Sequence, residues 1–137
     1  MIHKKFSWEI AGAVIVVDQL SKFLTEKYFA HGVHHNSGLP FSINLPTAPL
    51  ANQRFFYLLI ISAALLVFIW AARNFFSENA AASALIIGGA ISNLADRAAL
   101  GYVRDFIPAV TGTTNPADIA VFLGMIVLLW NIKFHNL

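Results

Sequence analysis

The chain contains no cysteine and few charged residues, and each absence excludes classes of protein. Without cysteine, its 137 residues cannot form a disulfide framework, a thiolate nucleophile or a thiolate metal site. Charged residues make up 12% of the chain, against about 25% in average proteins. A small soluble domain exposes a large share of its surface, and nine basic and seven acidic side chains are too few to solvate it. This shortage of charge excludes a soluble enzyme and a disordered chain. A net charge of +2 is too small for a phosphate-binding patch, which excludes a nucleic-acid partner.

Hydrophobic residues take the place of the missing charges and form long runs. They make up 58% of the chain, against about 45–50% in average proteins. The clearest run, residues 55–72, has no charge and roughly crosses the ~30 Å hydrocarbon core of a bilayer. We therefore predict an all-α membrane protein, in which residues 1–137 form one four-helix bundle with spans at about 7–28, 55–72, 80–100 and 117–133. A cleaved signal peptide is disfavoured, because no small-x-small cleavage site follows the short uncharged run before Asp18.

Most of the polar residues that interrupt the predicted spans gather on one side of the membrane. Four spans place both termini on one side, and the connectors at about 29–54 and 101–116 on the other. That second side receives Asp18, Lys22, Asn93, Asp96, Arg97 and Asp118. Ionisable residues at membrane depth are costly and usually face a bundle interior or a wet cavity. Flanking basic residues are balanced between the two sides, although Lys4 and Lys5 favour a cytoplasmic N-terminus.

Several of these residues also fit a purely structural interpretation. Asp18 and Lys22 have the i, i+4 spacing, acid first, that is typical of an intrahelical ion pair. Asn93, Asp96 and Arg97 fit a polar helix end that snorkels to the membrane interface. At this point both interpretations remain open.

Asp105 and Asp118 stand at the two ends of the second connector. Asn115 and Pro116 predict a helix start that places Asp118 in the first turn, where the macrodipole favours a carboxylate. Asp105 lies in an apolar stretch with only Arg104 as an obvious local partner. If the two acids come close they can share a proton, because two like charges in a poorly solvated site cannot both ionise cheaply. The ionised member would then activate water, and the protonated member would donate to the oxyanion or the leaving amine.

Other chemistries fit the residues less well. Ser21 and Lys22 are adjacent and do not share a helix face, which disfavours a Ser/Lys dyad. The first connector contains three histidines, His31, His34 and His35. The turn-rich sequence around them favours a surface loop over a metal site, so no cofactor or metal is expected. Two non-enzymatic alternatives remain: a structural subunit, and a small ion- or proton-coupled carrier with a relay of aspartates at positions 18, 96 and 118.

Five segments, in this order, resemble the motif blocks of the prolipoprotein signal peptidase (signal peptidase II) family. They are VDQLSK (17–22), NSGLPFS (36–42), GGAISNLADR (88–97), GYVRDF (101–106) and NPAD (115–118). The chain departs from the family pattern at three positions. Ser92 replaces a usual glycine, Thr114 replaces a usual phenylalanine, and Pro116 follows the motif asparagine.

The resemblance implies a four-span aspartyl endopeptidase of the bacterial inner membrane. It would remove the signal peptide from lipid-modified preproteins, cutting just before the diacylglyceryl cysteine. Asp105 and Asp118 would form the catalytic dyad. The supporting and substrate-binding residues would be Asp18, Lys22, Asn36, Gly38, Asn93, Asp96, Arg97 and Asn115.

The resemblance also implies an arrangement in the membrane. Both termini would be cytoplasmic and the active site extracytoplasmic, with a small β-rich platform in the first connector and a mobile flap in the second. The partners would be the lipid-modified preprotein and membrane lipids. We expect a monomer, because the polar residues can be satisfied within one four-span bundle.

Overall fold

Four α-helices dominate the part of the chain that the structure describes. The computed structural model describes residues 7–37, 50–71, 79–110 and 112–135, and gives the backbone alone for residues 50–59, 71 and 132–135. The helices are α1 (Trp8–Tyr28), α2 (Leu50–Ala71), α3 (Ala80–Leu100) and α4 (Pro116–His135). They overlie the four predicted spans closely, except that α2 begins at Leu50, before its predicted start. Taken over the described residues, none of these helices combines the length and the apolar character needed to cross a membrane.

Two small antiparallel sheets lie in the connectors. After a short 3₁₀ turn (Ala30–Gly32), β1 (His34–Asn36) pairs with β2 (Val103–Asp105), and β3 (Ile107–Ala109) pairs with β4 (Gly112–Thr114) as a hairpin. The platform was predicted within the first connector, but β1 has its partner in the second connector. The rest of that predicted platform, residues 38–49, lies outside the described residues.

The end of α3 directs the chain straight into β2. Gly101 adopts the left-handed conformation (φ 89°) that commonly ends a helix, and its N–H bonds to the Arg97 carbonyl at 3.1 Å. Because β2 begins two residues later, Asp105 lies just beyond the end of α3. This turn brings the second connector back over the bundle.

Small residues allow α3 to pack closely against both α1 and α4. A side chain at Gly88 would stand 2.8 Å from the Ala11 carbonyl oxygen of α1, and one at Gly89 would overlap the Ala117 carbonyl oxygen of α4. Further along α3, Ala82 and Ile86 form an apolar cluster with Leu128 of α4, and Phe68 of α2 packs against it. These contacts fix the relative positions of the helices that carry the polar residues.

The interior of the bundle holds many polar side chains, while large apolar side chains lie on its outside. The buried polar side chains are Asp18, Lys22, Ser83, Ser92, Asp96, Arg97, Arg104, Asp105 and Asn115. Large apolar side chains are exposed along α1, α2 and α4, for example Phe23, Leu66, Trp70, Phe122 and Trp130. A soluble domain has the opposite distribution, and an exposed apolar surface of this extent marks a lipid or protein contact.

Candidate active site

Asp105 is held by two asparagine amides that come from different parts of the chain. Asn36 on β1 donates from Nδ2 to Asp105 Oδ2 at 3.2 Å, and Asn115 donates from Nδ2 to Asp105 Oδ1 at 2.5 Å. The side chain is buried, with 2% of the residue exposed. Burial raises the pKa of Asp105 because it disfavours the carboxylate, although the two amide hydrogen bonds and the charges of Lys22 and Arg97 oppose this effect.

Asp118 lies in the first turn of α4 and, unlike Asp105, is exposed. Asn93 on α3 donates from Nδ2 to its Oδ1 at 2.7 Å, and Thr114 at the end of β4 donates from Oγ1 to its Oδ2 at 3.2 Å. Both carboxylate oxygens of Asp118 therefore accept hydrogen bonds, as do both oxygens of Asp105.

Asn115 joins the two acids. Its Nδ2 donates to Asp105, while its Oδ1 accepts the backbone N–H of Asp118 at 2.9 Å. This second contact is the side-chain N-cap of α4, so the predicted helix start at Asn115 and Pro116 is confirmed. The charges of Asp105 and Asp118 repel each other. One capping side chain thus holds two acids together, although they lie thirteen positions apart in the sequence.

Lys22 is a fully buried cation with an acceptor for each of its three donors. Its Nζ lies 2.6 Å from Asp18 Oδ2, 3.2 Å from Asp96 Oδ2 and 2.9 Å from Asn93 Oδ1. The predicted i, i+4 ion pair with Asp18 is therefore present, within a larger cluster. Because an ammonium can only donate, it turns the oxygen of the Asn93 amide toward itself and leaves Nδ2 for Asp118.

Asp18 anchors the start of α4 from α1. Its Oδ1 accepts the backbone N–H of Ala117 at 2.9 Å, and its Oδ2 accepts the hydroxyl of Ser92 at 2.7 Å. Ser92, which departs from the family pattern, is fully buried, and its hydroxyl is satisfied by this hydrogen bond to Asp18. The first N–H groups of α4 are thereby shared between Asp18 and Asn115.

Asp96 pairs with Arg104, a residue that the sequence interpretation did not select. The Arg104 guanidinium donates to both carboxylate oxygens of Asp96, and Gln19 donates to Asp96 Oδ1 at 2.9 Å. These interactions with Asp96 raise the pKa of Arg104. A signal was present in the sequence, because Arg104 is a charged residue in an apolar stretch and alternation in a strand places it on the opposite face from Asp105.

One of the structural interpretations, the snorkelling helix end, is wrong. Asp96 and Arg97 are buried, at 2% and 6% exposed, so they do not form a snorkelling helix end. Arg97 instead interacts electrostatically with Asp118, Asp105 and Asp96. Arg104 is not the partner of Asp105, because its side chain reaches toward Asp96 and away from the acid next to it.

The structure thus brings together all the predicted site residues that it describes, and Gly38 alone lies outside the described residues. Of the three histidines, His31 is on the 3₁₀ turn, and His34 and His35 are on β1, where His34 stands opposite Asp105 in the strand register. Where the structure describes the chain, no group of three or more potential metal ligands occurs.

Comparisons with known proteins point to one family. The family described as Signal peptidase (SPase) II matches residues 10–134. A lipoprotein signal peptidase of Paraburkholderia phytofirmans is 31% identical over 88% of this chain and 80% of that protein. One from Rhizorhabdus wittichii is 27% identical over 93% and 86%. In the relative from Shewanella oneidensis, 40% identity is confined to 57 residues, which cover only 34% of that protein and 38% of this chain.

Solved structures support the same assignment. Two structures of bacterial membrane enzymes superpose with TM-scores of 0.69 and 0.66 at 26% and 27% identity. They cover 100% and 97% of this chain, and 100% and 93% of their own chains. Between the sequence-based alternatives, the family match and the curated relatives favour the peptidase over the carrier and the structural subunit. The extent of the family match shows that this chain belongs to the signal peptidase II family.

Proposed function

We propose that this chain is a lipoprotein signal peptidase of the bacterial inner membrane that works as an aspartic endopeptidase. It removes the signal peptide from lipid-modified prolipoproteins, cutting before the diacylglyceryl cysteine, and Asp105 and Asp118 are its catalytic dyad. The observation that carries the proposal is the double contact of Asn115, which binds the carboxylate of one acid and the backbone of the other.

The two acids have different environments, and the difference assigns their roles. The charge of each acid disfavours ionisation of the other, so the pair favours a state with one proton between them. Asp105 is buried, which favours its protonated form, whereas Asp118 is exposed, where a water molecule can reach it. Two acids whose environments differ in this way can supply one proton donor and one proton acceptor at the same pH. Asp105 therefore starts as the donor, and Asp118 starts as the base.

Hydrolysis then proceeds without a covalent intermediate. Asp118 takes a proton from a water molecule as the water oxygen attacks the scissile carbonyl carbon, and Asp105 gives its proton to the carbonyl oxygen. In the second step Asp118 returns its proton to the amide nitrogen, the C–N bond breaks, and one hydroxyl proton of the tetrahedral intermediate passes back to Asp105. Both acids end in their starting states.

The supporting residues hold this geometry in place. Lys22 fixes the orientation of the Asn93 amide, and Asn93 in turn holds Asp118. Asp18 holds the first turn of α4, which carries Asp118. Arg97 adds positive charge near both acids, which stabilises the negative charge that the pair carries.

A membrane location suits both the surface of the protein and its substrate. The exposed apolar side chains of α1, α2 and α4 fit a lipid environment. A lipid anchor on the substrate would hold the scissile bond at interface depth, near the end of the bundle where the acids lie. We propose four spans with cytoplasmic termini and an extracytoplasmic site, and the β3–β4 hairpin, which ends at Thr114 beside Asp118, as the flap.

Cleavage of a synthetic precursor peptide by the purified protein in proteoliposomes tests the proposal. The wild-type chain should cut the diacylglyceryl form before its cysteine and leave the unmodified form intact. Asp105→Asn and Asp118→Asn should each lower the turnover number by about 10²–10⁴-fold, because each removes a proton-transfer group. Glu9→Gln, in the exposed first turn of α1, is the matched acid-to-amide control and should keep full turnover.

Two results would contradict the proposal. Normal turnover by folded Asp105→Asn or Asp118→Asn protein would remove that residue from the dyad. Equal cleavage of lipidated and unmodified peptide would refute the assignment of the substrate.

A further inference from the structure

Arg104 binds Asp96 through both its backbone and its side chain. The backbone N–H donates to Asp96 Oδ2 at 3.2 Å, the guanidinium Nη2 to Oδ1 at 2.8 Å, and Nε to Oδ2 at 3.3 Å. Arg104 is 9% exposed and Asp96 is 2% exposed. A planar guanidinium that meets both oxygens of a buried carboxylate is fixed in orientation as well as in position.

The same guanidinium also reaches α1. Nη2 donates to Gln19 Oε1 at 2.9 Å, and Nη1 donates to Glu26 Oε2 at 3.3 Å. Arg104 therefore ties strand β2 to α3 and α1 at once. Among its contacts the one with Glu26 is the most peripheral, since the side chain of Glu26 is 36% exposed.

We infer that Arg104 is a positioning residue of the proposed peptidase, which holds strand β2 in the register and orientation that present Asp105 to its partners. This inference rests on the proposed function. The peptide unit between residues 104 and 105 is planar and rigid, so fixing the backbone of Arg104 restricts where the Asp105 carboxylate can lie. Arg104 acts through the backbone, because its side chain is committed to Asp96, Gln19 and Glu26.

This role differs from a purely electrostatic one. The cationic groups that act on the Asp105 carboxylate are Lys22 and Arg97, and Arg104 is not among the groups that shift its pKa. The loss of Arg104 should therefore lower kcat through misplacement of Asp105, with KM little changed, because the substrate-binding groups remain. A residue that bound the substrate equally in the ground state and the transition state would raise KM instead.

The experiment compares Arg104→Gln, Arg104→Lys and Glu26→Gln with the wild-type chain, using the lipidated precursor peptide in proteoliposomes. Arg104→Gln should lower kcat by about 100-fold, as expected when a reacting group moves by about 1 Å, with KM within about twofold. Arg104→Lys should recover part of the loss, because an ammonium can bind Asp96 but cannot span both oxygens. Glu26→Gln should lose less than about threefold, since it alters only the peripheral contact.

Lys27→Gln is the control, since Lys27 is an exposed basic residue on the same end of α1 with no contact to Asp96 among the described interactions. Its kcat should match that of the wild type. Thermal unfolding of each variant shows whether it is folded at the assay temperature. If Arg104→Gln does not fold, Arg104→Lys decides, and its kcat should fall while its fold is retained.

Hydrogen exchange of β2 gives a readout that does not need cleavage. The amides of residues 103–105 should exchange at least about tenfold faster in Arg104→Gln than in Lys27→Gln, because β2 loses the side-chain contacts that tie it to α1 and α3. Wild-type kcat in folded Arg104→Gln or Arg104→Lys, a loss confined to KM, or unchanged exchange in β2 would overturn the inference. A wild-type chain that cleaves no lipidated peptide would instead contradict the proposed function, and the exchange measurement would still decide the role of Arg104.

Discussion

Replacing Asp18 by asparagine removes the charge that links α1 to the start of α4. The carboxylate of Asp18 accepts from three donors: Lys22 Nζ at 2.6 Å, Ser92 Oγ at 2.7 Å and the backbone N–H of Ala117 at 2.9 Å. An asparagine keeps one acceptor oxygen and introduces an NH₂ group that faces donors. At least one buried donor is then left without its acceptor.

The expected loss of stability follows from the burial of this cluster. Breaking a buried ion pair by removing one partner typically costs about 3–5 kcal/mol. For Asp18→Asn the free energy of unfolding should fall by about 3 kcal/mol, because Lys22 keeps its contacts with Asp96 at 3.2 Å and Asn93 at 2.9 Å. Ser92→Ala removes only one of the three contacts to Asp18 and should cost about 1 kcal/mol.

Activity should fall further than stability alone explains. Asp18 holds Ala117, the residue before Asp118, so its loss shifts the first turn of α4 and should lower kcat by about 100-fold. Denaturant unfolding in detergent micelles gives the free energy of unfolding, and cleavage of lipidated peptide by the folded variant gives kcat. If Asp18→Asn loses no more stability than Ser92→Ala and keeps wild-type kcat, then Asp18 does not anchor α4.

Three further predictions test the packing, the link between the acids and the titration of the site. Gly89→Ala should lower the free energy of unfolding by about 1–3 kcal/mol, because its Cβ would overlap the Ala117 carbonyl oxygen. Gly12→Ala should raise the free energy of unfolding by about 0.5–1 kcal/mol, because a Cβ at Gly12 would meet no atom within 4 Å. Equal effects of the two substitutions in unfolding experiments would contradict the close packing at Gly89. Asn115→Ala should lower the free energy of unfolding by about 1 kcal/mol, because α4 loses its N-cap. It should also lower kcat by about 100-fold, because the side chain that links the two acids is gone. An unchanged kcat in the peptide assay would argue against that link. Because burial raises the pKa of Asp105, the stability that this group contributes is fully present below its unfolded pKa of about 3.9 and is lost as pH rises through its higher folded pKa. Unfolding measured from about pH 3 to 8 should therefore show a decrease in the free energy of unfolding that Asp105 contributes in the wild type and that is missing in Asp105→Asn. An identical pH dependence of the two proteins would refute the assignment.

The sequence predicted the helices and the local contacts well. Long, largely apolar runs located all four helices, although only the run at 55–72 has no charge, because a buried or lipid-facing helix is mostly apolar. The i, i+4 pair of Asp18 and Lys22 and the N-cap at Asn115 involve residues close in the chain, so spacing alone was enough to identify them.

The contacts that complete the site join distant parts of the chain, and the sequence did not reveal them. The hydrogen bond between Asn36 and Asp105 spans 69 positions and depends on the pairing of β1 with β2. That pairing crosses from one connector to the other, whereas short strands are normally expected to pair within a connector. Periodicity also gave no partner for Arg104, because its contacts on α1 and α3 exist only after the helices have packed.

The most direct test of the account is a structure of the protein bound to a lipidated peptide in which a hydroxyl-bearing tetrahedral carbon replaces the scissile carbonyl. The distances from that hydroxyl to the carboxylates of Asp105 and Asp118 measure whether both acids act on one reacting centre. If Asp105 and Asp118 form the catalytic dyad, each carboxylate should lie within about 2.6–3.2 Å of the hydroxyl. A hydroxyl bound by one acid alone, with the other turned away from the peptide, would contradict it.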